Sequence, residues 1–192
     1  SEPTAAAIAY GLYEKKEDTR FLVFDLGGGT FDVSILELYE NILEVRAVAG
    51  DNYLGGEDFT KVMEKMFLNK TGINANSLTA KEQVRLYRQA EEAKRRINDA
   101  DKVEITCLIK DEPETVEITT KEYEEECEDL FSKIREPVKR SLSDAGLSLK
   151  DIDEVVLIGG ATKLQIFRDF FIRVFHKFPD TQLHLARQFR VL

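Results

Sequence analysis

Short apolar runs along the chain predict the strands of a sheet. Residues 21–24 and 155–158 are apolar without interruption, which is typical of strands buried on both faces. Residues 31–35 alternate between apolar and polar positions and predict a second strand, and residues 42–48 predict a third. Apolar residues at helical spacing over 163–176 predict a helix after the last strand.

Helical patterns also occupy the first half of the chain. An alanine-rich stretch predicts a short helix over 3–12, and apolar residues at helical spacing follow the glycine pair at 55–56. Thr79 and Glu82 have the spacing of a capping box, in which the two side chains satisfy the first free N–H groups of a helix. They predict that the next helix begins at residue 80 and runs to about residue 98.

A hairpin and a long helical region are predicted to follow. The hairpin covers 102–118, with its turn at 111–114. A second capping box, at Thr119 and Glu122, predicts the start of the helical region. Pro137 lies inside that region and is expected to break or kink it, because proline has no N–H to donate.

The order of these elements predicts an α/β fold with a mixed sheet and a helical and hairpin insertion. We expect residues 1–54 and 128–192 to form the sheet subdomain. Residues 55–127 are expected to form the smaller insertion subdomain.

Composition and charge narrow the possible functions of this 192-residue chain. Its net charge of -9 argues against a nucleic-acid partner, because proteins that bind nucleic acids present a basic surface. No window approaches the roughly 20 apolar residues that span a bilayer, so we expect no membrane association. Cys107 and Cys127 have no CxxC partner and are expected to be reduced thiols of a cytoplasmic protein.

The clearest candidate site follows the first strand. It consists of Asp25, Gly27, Gly28, Gly29, Thr30 and Asp32. Glycine lets backbone N–H groups approach an anion closely, so the triple glycine predicts a phosphate-binding turn. Asp25 would hold Mg²⁺ through water, and Asp32 would help to position an attacking water. The alternative is a plain β-hairpin with a flexible glycine turn.

Three other sets of residues are weaker candidates for contacts with a nucleotide. They are Gly56 and Glu57 at a helix start, Glu91, Lys94, Arg95 and Asn98 on one helical face, and Gly159, Gly160 and Lys163 after the last strand. Each also has a structural explanation: an ordinary helix start, a solvated face with a Glu91–Arg95 ion pair, and a tight connection. Neither GxxxxGK[ST] nor GxGxxG occurs, which argues against a P-loop or Rossmann site.

Together these segments resemble the DnaK-type heat-shock chaperones. The matching segments are EPTAAA over 2–7, FDLGGGTFDVS over 24–34, AGD over 49–51, LGGEDF over 54–59, the helix carrying Glu91 to Arg95, and GGAT over 159–162. Their order and spacing agree from residue 2 to about residue 175. The resemblance implies an actin-like (ribonuclease-H-like) ATPase domain, of which this chain would be the second lobe.

The resemblance also implies a role for each candidate residue. Residues 27–30 would hold the β and γ phosphates of ATP or ADP. Asp25 and Glu2 would hold Mg²⁺ through water, and Asp32 would assist the water that attacks the γ phosphate. The remaining candidates would surround the adenosine: Gly56, Glu57, Glu91, Lys94, Arg95, Asn98, Gly159, Gly160 and Lys163.

Some positions depart from the family pattern. Lys163 stands where the family usually has an arginine that stacks on the base, so we expect weaker adenine binding. Asn98 replaces a usual serine, and the family's closing segment is not recognisable after Phe178. We expect the chain to be a piece of a longer protein that also contains the first lobe and the peptide-binding domain. Alone, it is then expected to bind nucleotide weakly and to turn over negligibly.

In the parent protein, the resemblance implies that ATP hydrolysis drives protein folding. The implied partners are nucleotide, a nucleotide-exchange factor or J-domain co-chaperone, and client polypeptides that bind the peptide-binding domain. Two alternatives stay open. One is another actin-like enzyme, such as a sugar kinase, and the other is a non-catalytic module that docks a co-chaperone or exchange factor.

Overall fold

The structure is a computed structural model, and it describes residues 4–5, 18–175 and 182–185. Glu2 and most of the helix predicted over 3–12 lie outside the described residues. The described strands are β1 (Thr19–Leu26), β2 (Phe31–Tyr39), β3 (Ile42–Asp51), β4 (Lys102–Ile109), β5 (Glu112–Thr119), β6 (Glu154–Ile158) and β7 (Gln182–Leu185). The described α-helices are α1 (Gly56–Thr71), α2 (Ala80–Arg96), α3 (Thr120–Glu126), α4 (Glu128–Asp144) and α5 (Gln165–Phe175).

The main sheet has five strands in the order β3-β2-β1-β6-β7. The pairs β1–β2 and β2–β3 are antiparallel, whereas β1–β6 and β6–β7 are parallel. Strands β4 and β5 form a separate antiparallel hairpin. The predicted α/β fold with a mixed sheet is therefore confirmed.

The chain divides into two compact units. One contains Ser1–Gly56 and Phe131–Leu192, and the other contains Glu57–Leu130. The sequence prediction had placed the boundaries slightly earlier, after residues 54 and 127. The first unit holds the five-stranded sheet with α5 and most of α4, and the second holds the hairpin with α2, α3 and nearly all of α1.

Aromatic packing forms the core of the first unit on one face of its sheet. The Phe24 ring lies 4.4 Å from Phe31 and 4.6 Å from Phe171, measured between centroids. Phe131 of α4 stacks on Phe170 of α5 at 4.8 Å. Each buried phenylalanine contributes about 1.5–3 kcal/mol relative to an exposed one. The other face of the sheet is also buried, in a second hydrophobic cluster that includes Phe21, Val23 and Leu36. Because β1 is buried on both faces, its apolar run is uninterrupted.

The hairpin turn differs from its prediction. It consists of Lys110 and Asp111, with φ angles of 52° and 63°, and β5 already begins at Glu112. The predicted turn at 111–114 is therefore wrong. A two-residue turn with two positive φ angles matches the right-handed twist of the paired strands, whereas a longer turn would not continue the ladder. Pro113 is tolerated within β5 because the hairpin has only edge strands.

Of the break or kink predicted at Pro137, the break does not occur. Helix α4 continues through Pro137, and the long helical region is divided instead at Cys127, the C-terminal cap of α3. Phe131 and Ile134 are buried before the proline, and Leu142 is buried after it. Packing on both sides holds the helix together despite the hydrogen bond that proline cannot donate.

Candidate functional site

Four strand ends meet at the same end of the main sheet. Strands β1, β3 and β6 end there, and β2 begins there. Asp25 is paired with Asp32 across the antiparallel β1–β2 ladder and with Ile158 across the parallel β1–β6 ladder. Asp32 is in turn paired with Gly50, because β3 runs three residues beyond its predicted end at residue 48. The topology thus gathers the described candidate residues of the first unit at this end of the sheet.

The two aspartates form a cross-strand pair of like charges. Side chains directly opposite each other in an antiparallel pair have Cβ atoms about 4.5–5.5 Å apart, and like charges in that position destabilise the sheet. Asp25 is half-buried and Asp32 is exposed. A divalent cation nearby would offset this repulsion.

The donor set suits magnesium better than a metal that needs a full protein cage. Within residues 4–5, 18–175 and 182–185, no group of three or more His, Cys, Asp or Glu side chains is arranged to hold a metal. Magnesium usually binds one or two carboxylates and takes its other ligands from water and substrate phosphates. Asp25 would supply such a carboxylate. Glu2 lies outside the described residues.

The glycine loop between β1 and β2 is a closed turn. The Gly27 N–H donates to the Thr30 carbonyl at 3.0 Å, and the Gly27 carbonyl accepts from the Gly56 N–H at 2.8 Å. Gly28, Gly29 and Thr30 are exposed. The loop is therefore held at its base while its tip offers accessible backbone, as an anion site requires.

A second glycine turn follows β6. Gly159 has a φ of 92°, a conformation that favours glycine, and Gly160 begins a short 3₁₀ helix that ends at Lys163. The Thr162 hydroxyl donates to the Gly159 carbonyl at 2.7 Å and braces the turn. Since Asp25 is paired with Ile158, this turn lies beside the Asp25 carboxylate. Lys163 is exposed.

The predicted adenosine residues of the second unit lie on or next to α2, apart from Glu57, which is exposed in the first turn of α1. Glu91 and Arg95 form an ion pair at 2.7 Å, with side chains 36% and 73% exposed. This is the pairing that the alternative interpretation predicted. Exposed pairs of this kind contribute less than about 1 kcal/mol, so a ligand could replace it at little cost. Asn98 follows in the 3₁₀ segment Ile97–Asp99.

Lys94 is directed towards α1. Its ammonium donates to the Thr60 hydroxyl at 2.7 Å, and Thr60 is fully buried. Burial lowers the pKa of Lys94, and the neighbouring Glu91 carboxylate partly opposes that shift. The partnership with Thr60 was not predicted from the sequence, because the two residues lie on different helices and no local spacing relates them.

The cysteines take no part in this chemistry. Both are buried, and neither forms a disulfide. Burial raises the pKa of Cys127 to about 12, which keeps its thiol protonated and unreactive. In the described part of the chain, no helix has the length and apolar character needed to cross a bilayer.

Comparison with known proteins gives a single consistent family. The model of the Hsp70 protein family matches residues 1–186. The stromal 70 kDa heat shock-related protein from Pisum sativum chloroplasts is 40% identical over 96% of this chain. The chaperone protein dnaK of Cyanophora paradoxa is 42% identical over 96%, and a heat shock 70 kDa protein of Penicillium citrinum is 42% identical over 89%. The chain spans only 27%, 31% and 36% of these three relatives, respectively.

Proposed function

Because the chain belongs to the Hsp70 protein family, we propose that it is the second lobe of the ATP-binding and ATP-hydrolysing domain of a DnaK-type chaperone. Family membership supports nucleotide as the ligand. The observation that carries the proposal is the pairing of Asp25 with Asp32 at the mouth of the closed glycine loop. That arrangement combines a phosphate cradle with a carboxylate for a cation and a second one for the attacking water, which a plain hairpin does not need.

The residues of this chain would contribute binding and orientation. The exposed backbone of residues 28–30 would hold phosphate oxygens, and Asp25 would hold Mg²⁺ through water. Bound Mg²⁺ would neutralise charge on the phosphates. Asp32, on the neighbouring strand, would orient the attacking water. Phosphoryl transfer depends on several such groups acting together, so we propose that this chain alone turns over ATP negligibly.

The activity of the whole parent protein is part of the same proposal. ATP binding and hydrolysis would drive protein folding, with a nucleotide-exchange factor or J-domain co-chaperone as partner and client polypeptides bound elsewhere in the parent. We propose a cytoplasmic location from the reduced cysteines. The family does not specify the compartment, because one of its matching members is a stromal chloroplast protein.

A docking module for a co-chaperone or exchange factor is the second candidate for the isolated chain. The contacts of the predicted adenosine face favour it. Glu91 is already paired with Arg95, and Lys94 is already bonded to Thr60. The exposed Glu91–Arg95 pair also forms a charged surface of the kind that a protein partner can bind.

Calorimetric titration with Mg-ADP separates the two candidates. We expect the chain to bind Mg-ADP and Glu91→Ala to weaken binding about tenfold or more, as the loss of a charged hydrogen bond of about 1.5–3 kcal/mol implies. Asp25→Asn is expected to weaken binding only when magnesium is present. Glu92→Ala, which changes an exposed neighbour on the same helix, is the matched control. It is expected to bind Mg-ADP as the unsubstituted 192-residue chain, the parent sequence of these variants, does. A chain that is folded by circular dichroism yet binds no nucleotide would favour the docking module.

A further inference from the structure

Gly159 leaves no room for a side chain beside the candidate metal residue. A β-carbon built on Gly159 would lie 2.6 Å from the carbonyl carbon of Leu26 and 2.9 Å from Oδ1 of Asp25. Both neighbours belong to the end of β1. The positive φ of Gly159 would strain any other residue as well. The turn after β6 therefore packs directly against the segment that carries Asp25.

Gly55 makes a second close approach, to the glycine loop. A β-carbon at position 55 would lie 2.5 Å from the carbonyl carbon of Gly28 and 2.6 Å from the Cα of Gly29. These neighbours are backbone atoms, which cannot rotate away as a flexible side chain could. The adjacent Gly56 N–H bonds to the Gly27 carbonyl at 2.8 Å. Residues 55–56 thus hold the loop by packing and by a hydrogen bond.

Two of the loop's own glycines, Gly27 and Gly29, are less crowded. A β-carbon on Gly29 would meet no atom within 4 Å, and one on Gly27 would make only ordinary contacts at 3.6 and 3.7 Å. Packing within the protein therefore does not require glycine at position 29. Gly55 and Gly159, which packing does require to be glycine, lie outside the loop on other segments of the chain.

We propose that Gly55 and Gly159 are positioning residues of the phosphate site. Gly159 fixes the Asp25 carboxylate, and Gly55 fixes the loop of residues 27–30, so that the site has its shape before a ligand arrives. Gly29 has the complementary role of leaving space for the ligand. The identity of that ligand rests on the proposed function, but the shape of the site can be measured without it.

Hydrogen exchange followed by NMR, without nucleotide, tests the role of Gly55. We expect Gly55→Ala to speed exchange of the Gly27 and Gly56 amides about tenfold or more relative to other amides of the same unit. Gly146→Ala is the matched control: Gly146 has a φ of 68° and no atom within 4 Å of an added β-carbon, so the change strains the backbone without touching the loop. Unchanged protection of Gly27 and Gly56 in Gly55→Ala, or equal acceleration in Gly146→Ala, would overturn the proposal.

Gly29→Ala keeps the test decisive if Gly55→Ala does not fold. We expect Gly29→Ala to retain the thermal midpoint and the amide protection of the parent sequence, and to lose affinity for ADP or inorganic phosphate. Unfolding of Gly29→Ala, or loss of its loop protection, would show that packing does require glycine inside the loop, and the proposal would fail.

The magnesium dependence of ADP binding tests Gly159. The ratio of the ADP dissociation constants in EDTA and in Mg²⁺ isolates the contribution of the metal, whatever Gly159 itself contributes to nucleotide binding. We expect Gly159→Ala to reduce this ratio about tenfold and Gly146→Ala to preserve it. A ratio equally high in Gly159→Ala would contradict the role assigned to Gly159. If the parent sequence binds no ADP at all, the proposed function fails, whereas the exchange experiment still decides whether Gly55 shapes the loop.

Discussion

Buried polar atoms join helices of the second unit that are distant in the sequence. The Tyr123 hydroxyl of α3 donates to the Phe59 carbonyl of α1 at 2.9 Å, and the whole Tyr123 side chain is buried. Burial raises the pKa of Tyr123 well above its usual value, so the hydroxyl stays protonated and able to donate. A hydroxyl without a partner at such a position would carry its full desolvation cost.

Replacing this tyrosine isolates the contribution of the hydroxyl. We expect Tyr123→Phe to lower the free energy of unfolding by about 1 kcal/mol, because one buried hydrogen bond is lost while the ring is kept. Urea unfolding followed by circular dichroism measures it. Tyr53→Phe provides the control, since Tyr53 is 91% exposed. Equal stability of the two variants would show that the buried bond contributes nothing net.

Among the secondary-structure elements, the capping box of α2 does more than begin the helix. One Glu82 carboxylate oxygen accepts from the Thr79 N–H at 2.8 Å and from the Thr79 hydroxyl at 2.9 Å. The other accepts from the Lys110 N–H at 2.7 Å, in the turn of the β4–β5 hairpin. One side chain therefore links the start of a helix to the turn of a hairpin.

These hydrogen bonds make the second unit sensitive to acid. The Lys110 and Thr79 donors lower the pKa of Glu82 from its usual 4.5 to about 2. Because the folded pKa is lower than the unfolded one, the stabilisation is complete above about pH 4.5 and is lost as the pH falls towards 2. We expect Glu82→Gln to weaken the pH dependence of the thermal midpoint over this interval. Glu92→Gln, on the same helix, is expected to change that dependence less. An acid transition in Glu82→Gln as steep as in the parent sequence would contradict this origin.

Helix α4 is predicted to gain stability when its proline is removed. Proline in a helix interior costs about 3 kcal/mol relative to alanine. Pro137→Ala restores an N–H donor but also gives the unfolded chain more freedom, which offsets part of the gain. We expect a net rise in the free energy of unfolding of about 1–3 kcal/mol. Denaturant unfolding measures the change. A lower stability would mean that the helix has adapted its packing to the proline ring.

For the whole molecule, one edge of the main sheet carries exposed apolar side chains. Strand β3 forms that edge, and its side chains Ile42 and Val48 are 68% and 55% exposed. Exposed apolar edge strands favour pairing with a second chain. The net charge of -9 opposes association of two copies but is weakened by salt.

Self-association is therefore expected to increase with salt and to depend on β3. We expect the double variant Ile42→Lys, Val48→Lys to stay monomeric at concentrations where the parent sequence associates, as sedimentation velocity would show. Lys61→Glu, an exposed change in the other unit, is the control. Association that is unaffected by the β3 changes would place the contact elsewhere.

Local patterns within the sequence determined most of the secondary structure. The apolar runs at 21–24 and 155–158 became β1 and β6, and the capping boxes at Thr79 and Thr119 begin α2 and α3. These features depend on neighbours within one turn or one pleat, so their spacing is visible in the chain itself. The α/β class follows from their order.

The tertiary structure decided what long-range contacts control. Strand twist selected the turn at Lys110 and Asp111, and packing on both sides of Pro137 preserved α4. The register of β1 placed Asp25 opposite Asp32, and the β6 turn brought Gly159 against Asp25. No spacing along the chain shows such contacts, because each joins segments that meet only when the sheet has formed.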